Sequence, residues 1–338
     1  MSTYLKIQDS CLCLGRQLTT ISSFEPGDVV LSEEPFAAVL SDSELSKRCH
    51  VTFAPSEKLL RCGKCKLSRF AAREFQALDW KSGGREECAA LVASHPRVPP
   101  ATIRLAARIL WRLNRDGGEI ELKESLGGVS QHAPNTSSRP QVKDLIDHWE
   151  EIPEERKLTY AQMGSILVDY MKAGRGEAAA PCSVRDAALL LAKLACNAMT
   201  VFDEDLRPIG TGLYLTAAMA NHACAPSCVQ SFEGRRLVLR AARALRPGDE
   251  VTIAYTELAA TRQERRRELR EGYFFDLDGA GVGADPLGPA AAELAPEAEV
   301  APGVTLRAFA RPAWAEDPAD GALTEVRLAP EASGAERW

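Results

Sequence analysis

Apolar residues recur along this chain with two different periods, and the places where the period changes divide it. Leu237, Leu239 and Ala241 alternate with other side chains, as do Val251, Ile253 and Tyr255. A period of two places every second side chain on one face of a sheet and predicts strands. Between the two runs stands Leu245-Arg246-Pro247-Gly248-Asp249. Proline presets the first central angle of a type I or II turn, and glycine accepts the positive φ that type II needs next, so the segment reads as a short hairpin. The same device at Phe24-Glu25-Pro26-Gly27-Asp28, ahead of Val29-Val30-Leu31, predicts a second hairpin within residues 15–40. The sequences around the two turns otherwise differ, so turn chemistry is reused without an internal repeat.

Helical periodicity dominates the middle of the chain. Residues 101–114 place Ile103, Ala106, Ala107, Leu110 and Leu113 on one stripe with arginines elsewhere, and residues 184–200 do the same with Ala187, Leu190, Leu191, Leu194 and Ala198; both predict amphipathic helices. Residues 116–140, rich in Gly, Ser, Asn and Pro, are expected to form a mobile loop. Arginines and glutamates at helical spacing over 257–272 predict an exposed helix whose charge run is a solvated face. Beyond residue 276, Ala, Pro, Gly and Glu prevail around small apolar islands such as Leu306 to Phe309, which predicts a largely disordered or loosely docked extension.

Composition narrows the classes. With 45% hydrophobic and 26% charged residues over 338 positions the chain is globular in character. It lacks the roughly 20 consecutive apolar residues of a membrane helix. Met1 to Ser10 contains Lys6 and Asp9 and no apolar core, so a secretory leader is not expected and a reducing compartment is. Ten cysteines then read as buried thiols, metal ligands or catalytic groups and not as a disulfide framework. Residues 276–338 carry a net charge of −8 within a total of −6, leaving a nearly neutral body. Without a basic face, nucleic acid is not expected as the main partner.

Four segments concentrate chemistry: Gly15 to Leu18; the cysteines between Cys49 and Cys88; Asn221-His222-Ala223-Cys224-Ala225-Pro226-Ser227-Cys228; and Val251 to Tyr255 followed by Tyr273-Phe274-Phe275. Gly210 and Gly212 could open a nucleotide loop, but Leu215 stands at the third glycine position, so they read as a tight backbone bend. Taken singly, each residue has an ordinary structural reading. Tyr255 ends a strand, where tyrosine packs well; His222 alone suits a core; Asn221 suits a turn; Arg16 suits solvent. Their combination, Gly210 to Tyr214, Asn221-His222-Ala-Cys224, Gly248-Asp-Glu250-Val-Thr-Ile-Ala-Tyr255, Arg265 to Leu269 and Tyr273, resembles in order and spacing the SET and MYND (SMYD-type) family of protein-lysine methyltransferases, most strongly over residues 197–275.

The resemblance implies an α+β architecture, the SET-domain fold of small twisted β-sheets with a helical insertion and a degenerate MYND-like lobe. Its implied parts are an N-terminal SET segment (1–45), the MYND-like insertion (46–92), a helical insertion (93–196), the core with the cofactor and lysine-channel motifs (197–275) and an acidic tail (276–338). It implies S-adenosylmethionine as cofactor, a lysine-containing protein, histone or not, as substrate, and a monomer in cytoplasm or nucleus. By position, Tyr255 and Tyr273 match the catalytic channel tyrosines, Tyr255 nearest the transferring methyl. Arg16, Asn197, Asn221, His222, Tyr255 and Phe275 match cofactor contacts. These types suit the chemistry: an aromatic channel desolvates the incoming lysine and lowers its pKa, and ring faces favour a methyl in transit by ~0.5 to 2 kcal/mol each.

The family pattern also fails in places. Of the first zinc set only Cys49 remains, with Thr52, Ala71 and Phe75 at the other positions. Of the second, Cys62, Cys65 and Cys88 remain, while Gly83 or Gly84 stands where histidine belongs. Three thiolates fit a zinc completed by water or by a displaced histidine such as His50 or His95; the other reading is a metal-free lobe with an ordinary helix from Phe70 to Trp80. After Phe275 the post-SET cysteines are replaced by Leu277, Gly279 and Val282, which leaves Cys224 and Cys228 as buried thiols. Gln17 replaces a glycine of the N-terminal turn. The losses keep open an alternative, a catalytically inactive SET-derived interaction scaffold.

Overall fold

The computed structural model describes residues 4–9, 16–116, 140–175, 182–276, 297–301, 304–308 and 323–328. It comprises two units, the first made of residues 1–222, 226–253 and 272–274 and the second of 223–225, 254–271 and 275–338. Residues 117–139 of the expected loop and most of the tail lie outside the described residues.

In the first unit, chain order runs β1 (Leu5–Asp9), β2 (Arg16–Thr20), β3 (Val29–Glu33), β4 (Ala37–Leu40), β5 (Leu60–Arg61), β6 (Arg69–Phe70), α1 (Arg73–Asp79), α2 (Arg85–Ser94) and α3 (Ala101–Arg115). It continues through α4 (Glu154–Arg175), α5 (Val184–Asn197), β7 (Ala198–Phe202), β8 (Pro208–Leu213), β9 (Asn221–His222), β10 (Cys228–Glu233), β11 (Arg236–Ala241) and β12 (Thr252–Ile253). The strands form small sheets: β1-β2, β10-β11-β3, β4-β8-β7, β5-β6 and β12-β9. All pair antiparallel except β12 and β9, which run parallel with Thr252 opposite Asn221 and Ile253 opposite His222.

Both Pro-Gly turns form, with Gly27 at φ 93° and Gly248 at φ 95°. Neither closes a hairpin. β2 pairs with β1 while β3 pairs with β11, and β11 and β12 belong to different sheets. The two turns lie against each other instead: Phe24 and Leu245 exchange backbone hydrogen bonds of 2.9 and 2.8 Å, and the Gly248 amide donates to the Thr20 carbonyl at 2.7 Å. Register is decided by these distant partners and not by the turn chemistry. Gly210 and Gly212 likewise sit inside β8, not at a bend; a Cβ on Gly210 would lie 2.5 Å from the Val39 carbonyl oxygen, so glycine permits a close strand approach.

The two amphipathic stripes fold as predicted and bury their apolar faces, with Leu113 half-buried. Ser183 and Asp186 form a capping box that starts α5. That helix stops at Asn197, and Ala198 opens β7, because Met-Thr-Val-Phe is a strand-forming run. The arginines of α3 are not all solvated: Arg104 and Arg108 are buried, since Asp42, Asp79 and Glu87 arrive from other elements to pair with them. A helix occupies only 73–79 of the predicted 70–80, and a kinked stretch at 80–84, with Gly83 at φ 118°, leads into α2.

The second unit contains α6 (Arg262–Tyr273), whose last two residues belong to the first unit, and the strands β13 (Glu297–Ala301), β14 (Val304–Ala308) and β15 (Leu323–Leu328), which form one antiparallel sheet. α6 starts later than predicted and is not purely a solvated face. Arg265 is buried and donates to the carbonyls of Leu258 and Ala260, taking up the loop before the helix.

Candidate active site

A half-buried carboxylate prepares the segment that carries Asn221. Glu33, at the end of β3, accepts the amides of Thr216 and Ala217, both at 2.9 Å, and so caps the 3-10 turn Ala217–Met219 that leads into β9. Burial raises the Glu33 pKa above its usual value, partly offset by those two amides. Downstream, Ser227 and Thr252 exchange hydrogen bonds of 2.8 and 2.9 Å and the Ser227 hydroxyl donates to the Glu250 carbonyl at 2.9 Å. The Asn-His segment is thus fixed at both ends before it pairs with β12.

Held this way, the Asn221 side chain donates to the Arg16 carbonyl at 3.0 Å and to Glu250 Oε1 at 2.8 Å. His222 is buried beside it. Two predicted site residues more than 200 positions apart therefore touch, and Glu250, which carried no role in the sequence reading, joins them. The signal for Glu250 was present in the Gly248-Asp-Glu250 run. The Arg16 guanidinium donates to the Asp144 carbonyl. Asn197, at the C-terminal end of α5, donates to the Ile146 carbonyl at 2.8 Å and to the Lys193 carbonyl at 2.7 Å. Residues 144–146 therefore connect Arg16 with Asn197, a link no pattern in that segment announced.

Tyr273 ends α6, and the preceding Gly272 carbonyl accepts a weak hydrogen bond from Cys196 Sγ at 3.6 Å. The next residue, Phe274, takes φ 61°, and its ring lies 5.1 Å from that of His148, itself at φ 51°. Left-handed backbone at two bulky residues is strained, and it persists where packing fixes it. In the second unit, Tyr255 and Phe275 meet edge to face, with centroids 6.3 Å apart at 71°.

Among the described residues, Cys62, Cys65 and Cys88 converge with sulfurs all within 4.8 Å of one another. Cys62 and Cys65 lie on the β5–β6 connection and Cys88 on α2. Burial, with neighbouring sulfurs adding to it, pushes the Cys88 thiol up to about 12, whereas backbone amides of Lys64 and Cys65 outweigh burial at Cys62 and lower its pKa. The three sulfurs fit three corners of a tetrahedral zinc site, whose charge would hold them as thiolates. His50 offers no ligand atom to this cluster; its Nδ1 accepts the Arg69 amide at 3.0 Å, and burial lowers its pKa to about 4. Cys49, Cys224 and Cys228 are buried thiols.

The family model described as the SET domain matches residues 15–256, and the chain belongs to that family. It is 28% identical over 265 residues to the Homo sapiens histone-lysine N-methyltransferase SMYD3, covering 78% of this chain and 58% of that protein. Against the Arabidopsis thaliana histone-lysine N-methyltransferase ASHR1 it is 30% identical over 279 residues, covering 80% and 54%. The chain thus spans little more than half the length of the relatives it matches. A solved structure, the SET domain of LSMT bound to lysine and AdoHcy, aligns with 12% identity and a TM-score of 0.38 over 81% of this chain and 53% of that one. No helix among the described residues is long and apolar enough to cross a membrane.

Proposed function

We propose that the chain is a protein-lysine N-methyltransferase that uses S-adenosylmethionine, acting on a lysine-containing protein as a monomer in the cytoplasm or nucleus. The observation that carries this reading is the junction of Asn221, Arg16 and Glu250 on the parallel β9–β12 pair of a SET-family chain. The half-buried Asn221 amide bridges a backbone carbonyl and a carboxylate from two distant segments, which supports a built site.

The cofactor supplies an electrophilic methyl on a sulfonium. The protein's task is alignment, which contributes up to roughly 7–11 kcal/mol in oriented two-substrate reactions. Arg16 offers a guanidinium for the cofactor's carboxylate. Asn221 holds the Arg16 carbonyl, Asn197 holds the Ile146 carbonyl two residues from the one Arg16 takes, and His222 is buried next to Asn221. Tyr255 is assigned to the transferring methyl and Tyr273 to the amine, where a phenol oxygen accepts from the nitrogen and orients its lone pair. Phe275 is assigned to the adenine face, and its edge-to-face contact with Tyr255 supports these two roles. Cys62, Cys65 and Cys88 are assigned to one zinc ion.

Calorimetry with S-adenosylmethionine tests the reading: micromolar or tighter binding supports it. The inactive scaffold, favoured by Leu277, Gly279 and Val282 in place of cysteines, predicts no binding at all.

A further inference from the structure

Four successive backbone carbonyls, those of Lys143, Asp144, Leu145 and Ile146, are each taken by a side chain from outside their own segment. Lys193 Nζ donates to the Lys143 carbonyl at 3.4 Å and to that of Leu145. Arg16 takes Asp144, and Asn197 takes Ile146. Lys193 and Asn197 are four residues apart on α5 and so share one face. The Lys193 ammonium is 2% exposed and lies 3.5 Å from Asp147 Oδ2, also 2% exposed. Asp147 Oδ1 in turn accepts the Trp149 amide at 3.1 Å.

We infer that Lys193 is a positioning residue for the cofactor site, holding residues 143–147 so that Arg16 and Asn197 stand in register; this rests on the reading of those two residues as cofactor contacts. A buried ammonium is costly, and a Met or Leu would fill the same space on α5 more cheaply. An apolar side chain cannot engage alternate carbonyls, at 143 and 145, and thereby fix the two, at 144 and 146, that Arg16 and Asn197 use. Asp147 supplies the countercharge that lets the lysine stay ionised there, against burial that works to lower its pKa. In the sequence Lys193 reads as a polar interruption of an apolar helical stripe, so nothing in the pattern assigns it a role.

The whole chain is compared with Lys193→Met, with the double variant Lys193→Met/Asp147→Asn, which keeps an acceptor for the Trp149 amide, and with Lys193→Arg, by thermal unfolding and by calorimetric Kd for S-adenosylmethionine. Lys193→Met strands a buried carboxylate and loses both Tm and affinity. The double variant removes both charges, so its Tm returns to within about 3 °C of wild type while its Kd stays at least about 10-fold weaker. Lys193→Arg keeps the charge opposite Asp147 but replaces the ammonium with a planar fork; it keeps Tm within about 3 °C and loses at least about 5-fold in affinity. Wild-type affinity in either the double variant or the arginine variant overturns the inference. Absence of binding by the wild-type chain overturns the proposed function itself, and that outcome is read before any variant is compared.

Discussion

Arg108 is the centre of a buried triad whose removal has a calculable consequence. Its Nη1 donates to Asp79 Oδ1 and its Nε to Glu87 Oε2, each at 2.9 Å, and all three side chains are less than a tenth exposed. A unit pair about 4 Å apart gains ~4 kcal/mol at an effective dielectric near 20, so the two pairs together gain about 8 kcal/mol. Desolvating three ions costs several kcal/mol each, which leaves the intact triad near neutral. Arg108→Met removes the gain and leaves the cost of two buried carboxylates, so a net loss of about 3–5 kcal/mol is expected at pH 7. For a domain of this size that is a Tm drop on the order of 10 °C.

The pH dependence of that loss supplies a sharper check. Burial works to raise the Glu87 pKa, but Arg108 outweighs it and the value is lowered; at Asp79 burial outweighs the same arginine and the value is raised. In wild type, Glu87 therefore contributes stability above its unfolded pKa of about 4.3, lost as pH falls through the folded value. In Arg108→Met both carboxyls are raised, the native state holds extra protons, and stability drains as pH rises. The gap between wild type and variant should thus be smallest near pH 4 and widen toward neutrality, measured by urea unfolding across pH 4–8. A gap under about 1 kcal/mol, or one flat with pH, would refute the reasoning.

Three further outcomes are expected. Asn221→Ala leaves the Arg16 carbonyl and Glu250 without their donor and should cost about 1–3 kcal/mol in denaturant unfolding; a change near zero contradicts the junction. Phe274→Gly should be more stable than Phe274→Ala by about 1 kcal/mol, because both lose the ring but only glycine adopts φ 61° freely. Equal stabilities contradict that backbone. Zinc content by elemental analysis should not exceed one ion per chain, since Thr52, Ala71 and Phe75 cannot ligate; two ions contradict the assignment to Cys62, Cys65 and Cys88.

The parts of the fold that could be read from the chain are those fixed locally. The turn geometry at Gly27 and Gly248, the buried stripes of α3 and α5 and the capping box at Ser183 follow from residues within a few positions of one another. What could not be read was decided by partners far away in sequence. Leu245 pairs with Phe24 instead of closing its own hairpin, and Arg108 is buried because carboxylates 21 and 29 residues distant converge on it. For the site, order and spacing of motifs singled out Arg16 and Asn221, which touch, and the three cysteines, which cluster. They did not reveal residues 143–147, whose contribution is through backbone carbonyls, to which sequence patterns are blind, nor Lys193, which serves them.

The proposed reaction is methyl transfer from S-adenosylmethionine to protein lysine. Incubating the purified chain with methyl-labelled cofactor and lysine-rich protein, alongside Tyr255→Phe, and reading lysine methylation by mass spectrometry tests it most directly. Label on lysine with wild type, reduced at least about 10-fold in Tyr255→Phe at unchanged cofactor affinity, is the predicted result, a tenfold loss being a modest share of what aligned groups contribute. Cofactor binding without label on any lysine, or equal labelling by both proteins, would contradict it.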